Sequence, residues 1–342
     1  MHTDESELAR YEVTGVLGEG ADYQVFASKH PHTGADVVLK RPHPTLVSGN
    51  QHQAVESRTR DLADLKQGFG DELPHVPKLV GVSQRANHDS LFGDSLGYDY
   101  TVTVESRATG VPLVGAVFDG IRKHPIGLPV SIFCIHPLQD GEIRETPILV
   151  DILETVESFY KMGYLLMDVR PQNVFYSPKT GDISIIDVCD FRKPREATQR
   201  HPPLDMNDML LDLFRWYVPA GDPPLEFDSW TQYIEPPRSA RLERAAEDTK
   251  RIFLREERTE DRGLAIRVLE RIKARGYSRV SEFRDEVVEV LELRRVRLAS
   301  SPTFESHISL WKQGLAMMHD DYWSKYLFSA DSDLTAYGSA PS

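Results

Sequence analysis

Residues 166–190 read LMDVRPQNVFYSPKTGDISIIDVCD. An acid, Asp168, stands five positions before an amide, Asn173. A short apolar run, Val174-Phe175-Tyr176, follows and reads as a strand. The polar turn Ser177-Pro178-Lys179-Thr180-Gly181-Asp182 reverses the chain. A second apolar run, Ile183-Ser184-Ile185-Ile186, leads into another acid, Asp187. An acid and an amide at one end of a hairpin, with a second acid at the other, gather oxygen ligands in a small volume. Such a group can hold Mg²⁺ with phosphates and orient a hydroxyl beside them.

The rest of the chain is long enough to position that hairpin. Its 342 residues allow two lobes or one large domain. Apolar residues make up 40% and charged residues 27%, the composition of a soluble globular protein. No apolar run is long enough for a membrane span, so no membrane partner is expected. The start, MHTDESELARYEV, carries no apolar signal region. Two cysteines, Cys134 and Cys189, make neither a disulfide framework nor a zinc site, and the expected location is cytoplasmic. A net charge of −13 argues against a general nucleic-acid partner.

Upstream, residues 11–17 read as a strand, and Gly18-Glu19-Gly20-Ala21-Asp22-Tyr23 as a glycine turn. Residues 24–29 and 36–40 read as two more strands. Glycines let backbone N–H groups approach phosphates without a Cβ clash. Val25 would lie over an adenine ring, and Lys40 would direct its ammonium at the same phosphates. Strands and not a helix follow the glycines, so this is no dinucleotide fingerprint. Tyr23 holds the place of a third glycine, where it would either cap the phosphates or block them.

A polar loop gives way to a helix over 53–67, with Glu56 as the acid expected to pair with Lys40 and Asp61 as the alternative. Strands are predicted over 78–83 and 98–105. A helix is predicted over 113–121, and an amphipathic helix over 147–162, stopped at Gly163. Met206, Met209, Leu210, Leu213 and Tyr217 define a further helix. Near its start, Asp205 or Asp208 would either bond the catalytic-loop backbone or serve the helix N-terminus. Residues 264–274 and 280–294 are amphipathic. The aromatic tail over 305–329, with Trp311, Tyr322, Trp323, Tyr326 and Phe328, is expected to pack on the larger lobe. Residues 330–342 read as disordered.

By these motifs, in this order, the chain resembles a protein kinase over roughly residues 11–295. GEGADYQV at 18–25 is similar to the glycine-rich loop, and VVLK at 37–40 to the strand carrying the ATP-phosphate lysine. VES at 104–106 is similar to the hinge, with Val104 behind the adenine. LMDVRPQN at 166–173 is similar to the catalytic loop, and IDVC at 186–189 to the metal-binding segment. The resemblance implies an α+β, bilobal fold with a small β-rich N-lobe over 11–105 and a larger helical C-lobe over 106–300. A short extension, 1–10, would precede them and a C-terminal extension, 301–342, would follow.

It also implies roles for individual residues. Asp168, Arg170 and Lys40 would be catalytic. Gly18, Gly20, Val25, Lys40, Glu56, Val104, Glu105 and Ser106 would surround ATP. Asn173 and Asp187 would hold Mg²⁺, or Mn²⁺. The expected activity is ATP-dependent transfer to Ser/Thr hydroxyls, on a protein substrate or by autophosphorylation. The alternatives are a small-molecule phosphotransferase of the aminoglycoside or choline type and a nucleotide-binding pseudokinase scaffold.

The departures from the family pattern are specific. Leu166-Met167 replaces His-Arg before the acid, which argues against control by loop phosphorylation. Val188-Cys189 replaces Phe-Gly, which removes a flexible glycine. Only 17 residues lie between Asp187 and Asp205, with no Ala-Pro-Glu among them. That truncation, and the IDV pattern before His201-Pro202, is similar to RIO-type atypical kinases and also to small-molecule kinases of the aminoglycoside and choline type.

Overall fold

The computed structural model describes residues 5–46, 49–119, 122–127, 136–139, 142–177, 180–198, 201–222, 241–255, 257 and 259–309. Cys134, the aromatic residues from Trp311 onward and the segment 330–342 lie outside the described residues. Two compact units, Met1–Ala108 and Thr109–Ser342, divide the chain.

In the first unit a short helix α1 (Glu5–Leu8) precedes strands β1 (Val13–Glu19), β2 (Tyr23–Lys29) and β3 (Asp36–Pro42). Helix α2 (Gly49–Phe69), strand β4 (Leu79–Val82), the short helix α3 (Asp89–Phe92) and strand β5 (Thr103–Ser106) follow. The strands form one antiparallel sheet in the order β1-β2-β3-β5-β4. Alternation sorts their side chains between two faces. Phe26, Leu39, Val102 and Val104 share one face with Val37, Tyr100, Tyr11 and Leu8, and this cluster is the unit's core. Val25 and Lys40, cross-strand partners, lie on the other face.

The predicted strand over 98–105 is shorter in the structure and begins at Thr103. Before it, residues 84–100 form a loop around α3, and Leu91 and Phe92 of that helix and Leu96 of the loop pack on the core cluster. Arg41 anchors the loop. Its guanidinium, only 1% exposed, meets the Asp94 carboxylate, bonds Gln24 Oε1 from Nη2 at 2.6 Å, and lies over the Phe26 and Phe92 rings. A buried cation needs this many partners to offset its lost hydration.

The second unit opens on β6 (Val111–Pro112), β7 (Val114–Asp119) and β8 (Arg122–Gly127), then β9 (Leu138–Gln139) and β10 (Glu142–Ile143). The helix predicted over 113–121 is therefore overturned: β7 and β8 pair antiparallel, Val114 with Gly127 through Asp119 with Arg122. Val114, Val117 and Phe118 favour strand geometry, and Gly110, Pro112 and Gly115 disfavour a helix. Helix α4 (Ile148–Lys161) buries Ile148, Leu149, Ile152, Leu153, Val156 and Phe159, one stripe at helical spacing. It ends at Gly163, whose φ of 84° is the left-handed stop expected there.

Strands β11 (Leu165–Leu166), β12 (Val174–Tyr176), β13 (Ile183–Ile185) and β14 (Phe191–Arg192) come next, and four further helices follow among the described residues. These are α5 (Met206–Tyr217), α6 (Leu242–Phe253), α7 (Glu260–Lys273) and α8 (Val280–Ala299). Helix α6 was not anticipated from its Pro-rich, charged surroundings. Its buried Leu242, Ala245, Ala246, Thr249 and Phe253 nevertheless follow helical spacing. Helices α7 and α8 are joined by a buried pair, Arg294 Nε to Asp261 Oδ2 at 2.9 Å.

Gly110 admits β6 to the edge of β12. It has φ of 79°, and a Cβ there would meet the Tyr176 carbonyl and lie 2.6 Å from Ser177 N. Gly110→Ala is therefore expected to destabilise the chain by more than the ~1–3 kcal/mol of backbone strain alone. Urea unfolding checks this, and an unchanged midpoint would refute it.

Candidate active site

Each unit carries one half of the predicted constellation. In the first, the glycine turn closes β1 onto β2. Gly18 is opposite Val25, and Gly20 N donates to Tyr23 O at 2.8 Å. Contacts from Asp22 and Tyr23 hold the turn to α2. Arg58 Nη2 lies 2.6 Å from Asp22 Oδ2, and the Tyr23 hydroxyl is 2.9 Å from Thr59 Oγ1. Tyr23 is thus drawn back onto the helix. Glu19 accepts from Gln24 Nε2 at 2.8 Å and faces His43 at 3.4 Å, and these bonds hold its carboxyl below the usual range.

The expected ion pair of Lys40 with Glu56 or Asp61 is not formed. Lys40 Nζ instead lies 2.7 Å from Glu105 Oε2. Register explains the choice: Lys40 pairs with Thr103 and Val38 with Glu105, so Lys40 and Glu105 are diagonal neighbours on one face. Glu56 is engaged elsewhere. It accepts from Thr101 N at 3.1 Å and from the Thr101 hydroxyl, and it meets Arg60 at 3.0 Å. Asp61 is exposed. What α2 sends to this face is a cation, Lys66, with Nζ 2.9 Å from Glu105 Oε1. Burial would raise the Glu105 pKa, but the two ammoniums outweigh it and hold the carboxyl down at about 2.

The hinge reading over 104–106 is corrected in the same way. β5 lies between β3 and β4, so the backbones of Val104 and Glu105 belong to the ladder on both sides. Val104 points into the core cluster, on the face opposite Lys40 and Val25, and not to the side where those residues lead one to expect the adenine. Ser106 N donates to Lys78 O at 2.8 Å, so it too is engaged within the sheet.

In the second unit, β12 pairs with β13, Val174 opposite Ile185, and Ile186 N donates to Asn173 O at 2.8 Å. This closes Asn173 and Asp187 onto the same end of the hairpin. Asp168 and Asp187 both take left-handed backbone, at φ 62° and 57°. Such conformations are uncommon outside glycine and cluster at functional sites. Asp168 is gripped by the Arg170 guanidinium, which also lies over the Trp216 ring. Asn173 Nδ2 faces Asp168 O at 3.4 Å, which turns the amide oxygen the other way. Asp187 Oδ1 accepts from the Cys189 thiol at 2.9 Å.

The donor set fits a hard divalent cation. The Asp187 carboxylate and the Asn173 amide oxygen supply two oxygens, and Mg²⁺ commonly fills its other positions with water and phosphate. Among the described residues no cluster of three or more His, Cys, Asp or Glu side chains forms a metal cage.

One supporting residue escaped the sequence reading. Asp212, on α5 beneath the loop, accepts from the Asp168 backbone. Burial and the Asp168 charge push its pKa up to about 6. Asp205 and Asp208 serve the helix instead. Asp205 caps α5, Asp208 completes the capping box, and both meet Arg275, at 2.5 and 2.9 Å. The signal for Asp212 was its place two turns beyond the Asp205 cap, between the apolar Leu211 and Leu213. Tyr217 adds a second tie, its hydroxyl donating to Val169 O at 3.0 Å.

The segment after Asp187 is short and closed on itself. Leu166 pairs with Phe191, Met167 N donates to Asp190 O at 2.8 Å, and Arg195 and Leu204 exchange backbone hydrogen bonds at 2.9 and 3.0 Å. Buried Leu166 stands where the resemblance places a histidine.

No protein-family profile matches the sequence. A putative cyclin-dependent kinase F-2 from Oryza sativa subsp. japonica is 25% identical over 196 residues, 57% of this chain and 50% of that protein. The chain thus spans about half the length of this curated relative. Two structures of the Mycobacterium tuberculosis PknI kinase domain, one a double mutant, are also similar. The mutant aligns at TM-score 0.47 and 18% identity, over 83% of this chain and 96% of that one. The other aligns at 0.44 and 16%, over 82% and 96%. Among the described residues no helix is long and apolar enough to cross a membrane. The five-stranded sheet with one long helix after β3, the acid–amide–acid hairpin and the helical second unit are the features that the resemblance to a protein kinase implies.

Proposed function

We propose that the protein transfers the γ-phosphoryl group of ATP to Ser/Thr hydroxyls of a protein, as an atypical protein kinase. The observation that carries this reading is the hairpin. Asp168, Asn173 and Asp187 are held by Ile186 N to Asn173 O, by two left-handed aspartates and by Asp212 and Tyr217 from below. Asp168 would orient the acceptor hydroxyl and receive its proton. Arg170 would restrain that carboxylate and oppose the charge of the transferred group. Asn173 and Asp187 would hold Mg²⁺, which supplies charge neutralisation of the phosphates. Lys40, with Val25 and the glycine turn, would receive the nucleotide. The backbone pairings of Asp190, Phe191 and Arg195 favour a site built in one state over one switched by phosphorylation.

A second reading, a nucleotide-binding protein without transfer, is favoured by one observation: Lys40 is committed to Glu105. Radiolabelled ATP with Mg²⁺ separates the two. The wild-type chain, alone or with a generic basic protein or a cell extract, is expected to yield labelled protein. Asp187→Asn, which keeps the left-handed backbone but loses the charge, is expected to lose that label. Label within a few-fold of wild type in this variant would sink the metal role. A thermal shift with ATP and no labelled product from the wild type would favour the second reading.

A further inference from the structure

Glu105 divides its carboxylate between two lysines. Oε2 faces Lys40 Nζ at 2.7 Å and Oε1 faces Lys66 Nζ at 2.9 Å. The Glu105 side chain is 2% exposed, Lys66 3% and Lys40 17%. The Glu105 carboxylate is therefore met by two cations, and Lys40 is the more accessible of them. A buried acid with a single cation would trap that cation, since its departure leaves an uncompensated charge. Here the second ammonium removes the trap. Lys66 lies in the last turn of α2, where the helix dipole favours a cation. The helix is also tied to the segment leading into β5, through Glu56 and Thr101.

Together these contacts place the acid that orients Lys40 on the sheet and a compensating cation on the helix. We infer that Lys66 is a positioning residue for a polyphosphate ligand. It keeps Glu105 compensated, so that Lys40 can transfer its ammonium to a nucleotide phosphate while α2 stays where it is. The inference rests on the reading above that Lys40 meets the nucleotide, and it assigns Lys66 a part that the kinase resemblance does not.

The test is calorimetric binding of ATP with Mg²⁺ to the full chain, with thermal unfolding measured alongside. Lys66→Met is expected to raise the Kd by about tenfold or more, and Lys66→Arg by less than about threefold. Adding Glu105→Gln to Lys66→Met removes the charge that traps Lys40. This double variant is expected to recover affinity to within about threefold of wild type. A residue that merely tethers the helix would show a lower Tm with unchanged Kd, and the double variant would bind no better than the single. A Kd within twofold in folded Lys66→Met, or no recovery in the double variant, overturns the inference alone. No binding by the wild type overturns the nucleotide reading and this inference together.

Discussion

Asp168→Asn is expected to slow phosphate transfer by about 10²–10⁴-fold, the usual contribution of a positioned base, with little change in nucleotide affinity. Asparagine suits the test better than alanine. Asp168 has φ of 62°, and Asn tolerates that region nearly as well as Asp, so the loop keeps its shape. The amide has no carboxylate to receive a proton, and it leaves Arg170 without its anionic partner there. Single-turnover measurement with saturating ATP isolates the transfer step. A rate within tenfold of wild type would show that another group orients the acceptor.

Glu105→Ala is expected to destabilise the protein by about 3–5 kcal/mol, because it removes the buried carboxylate that both ammoniums meet. Lys66 is almost fully buried and cannot rehydrate without moving the end of α2. The same pair predicts a pH dependence. The Glu105 carboxyl falls from its ordinary 4.5 to about 2 in the folded chain. Its stabilisation is therefore complete above about pH 4.5 and is lost as pH falls toward 2. Denaturant unfolding from pH 7 to 3 should show wild type losing stability faster than Glu105→Ala. Parallel curves would mean that the carboxylate contributes nothing.

Local chemistry explains why much of this was legible. β2 alternates, and the turns that join it to β1 and β3 carry glycine or proline. Helix α4 has a clean apolar stripe and a glycine stop. The hairpin of residues 174–185 sets two apolar runs around a six-residue polar turn. Each signal lies within a few residues, where backbone sterics and periodicity act directly. β7 and β8 failed this test because Val114–Asp119 has too few residues for its period to be decisive. Pairing with Arg122–Gly127 settles its state.

The residues that would carry phosphate transfer, Lys40, Asp168, Asn173 and Asp187, were identifiable by type and order alone, since that chemistry needs a cation, acids and an amide at set spacing. Their partners were not. Lys40 could have met any acid of α2, and in the structure it meets Glu105, because a strand register places the two diagonally on one face. The inward turn of Lys66, the burial of Val104 in the opposite face and the placement of Asp212 beneath Asp168 follow from the packing of segments far apart in the chain. Residue chemistry is local and is written in the chain, whereas the pairing of buried charges depends on which surfaces exclude water together, and only the folded protein decides that.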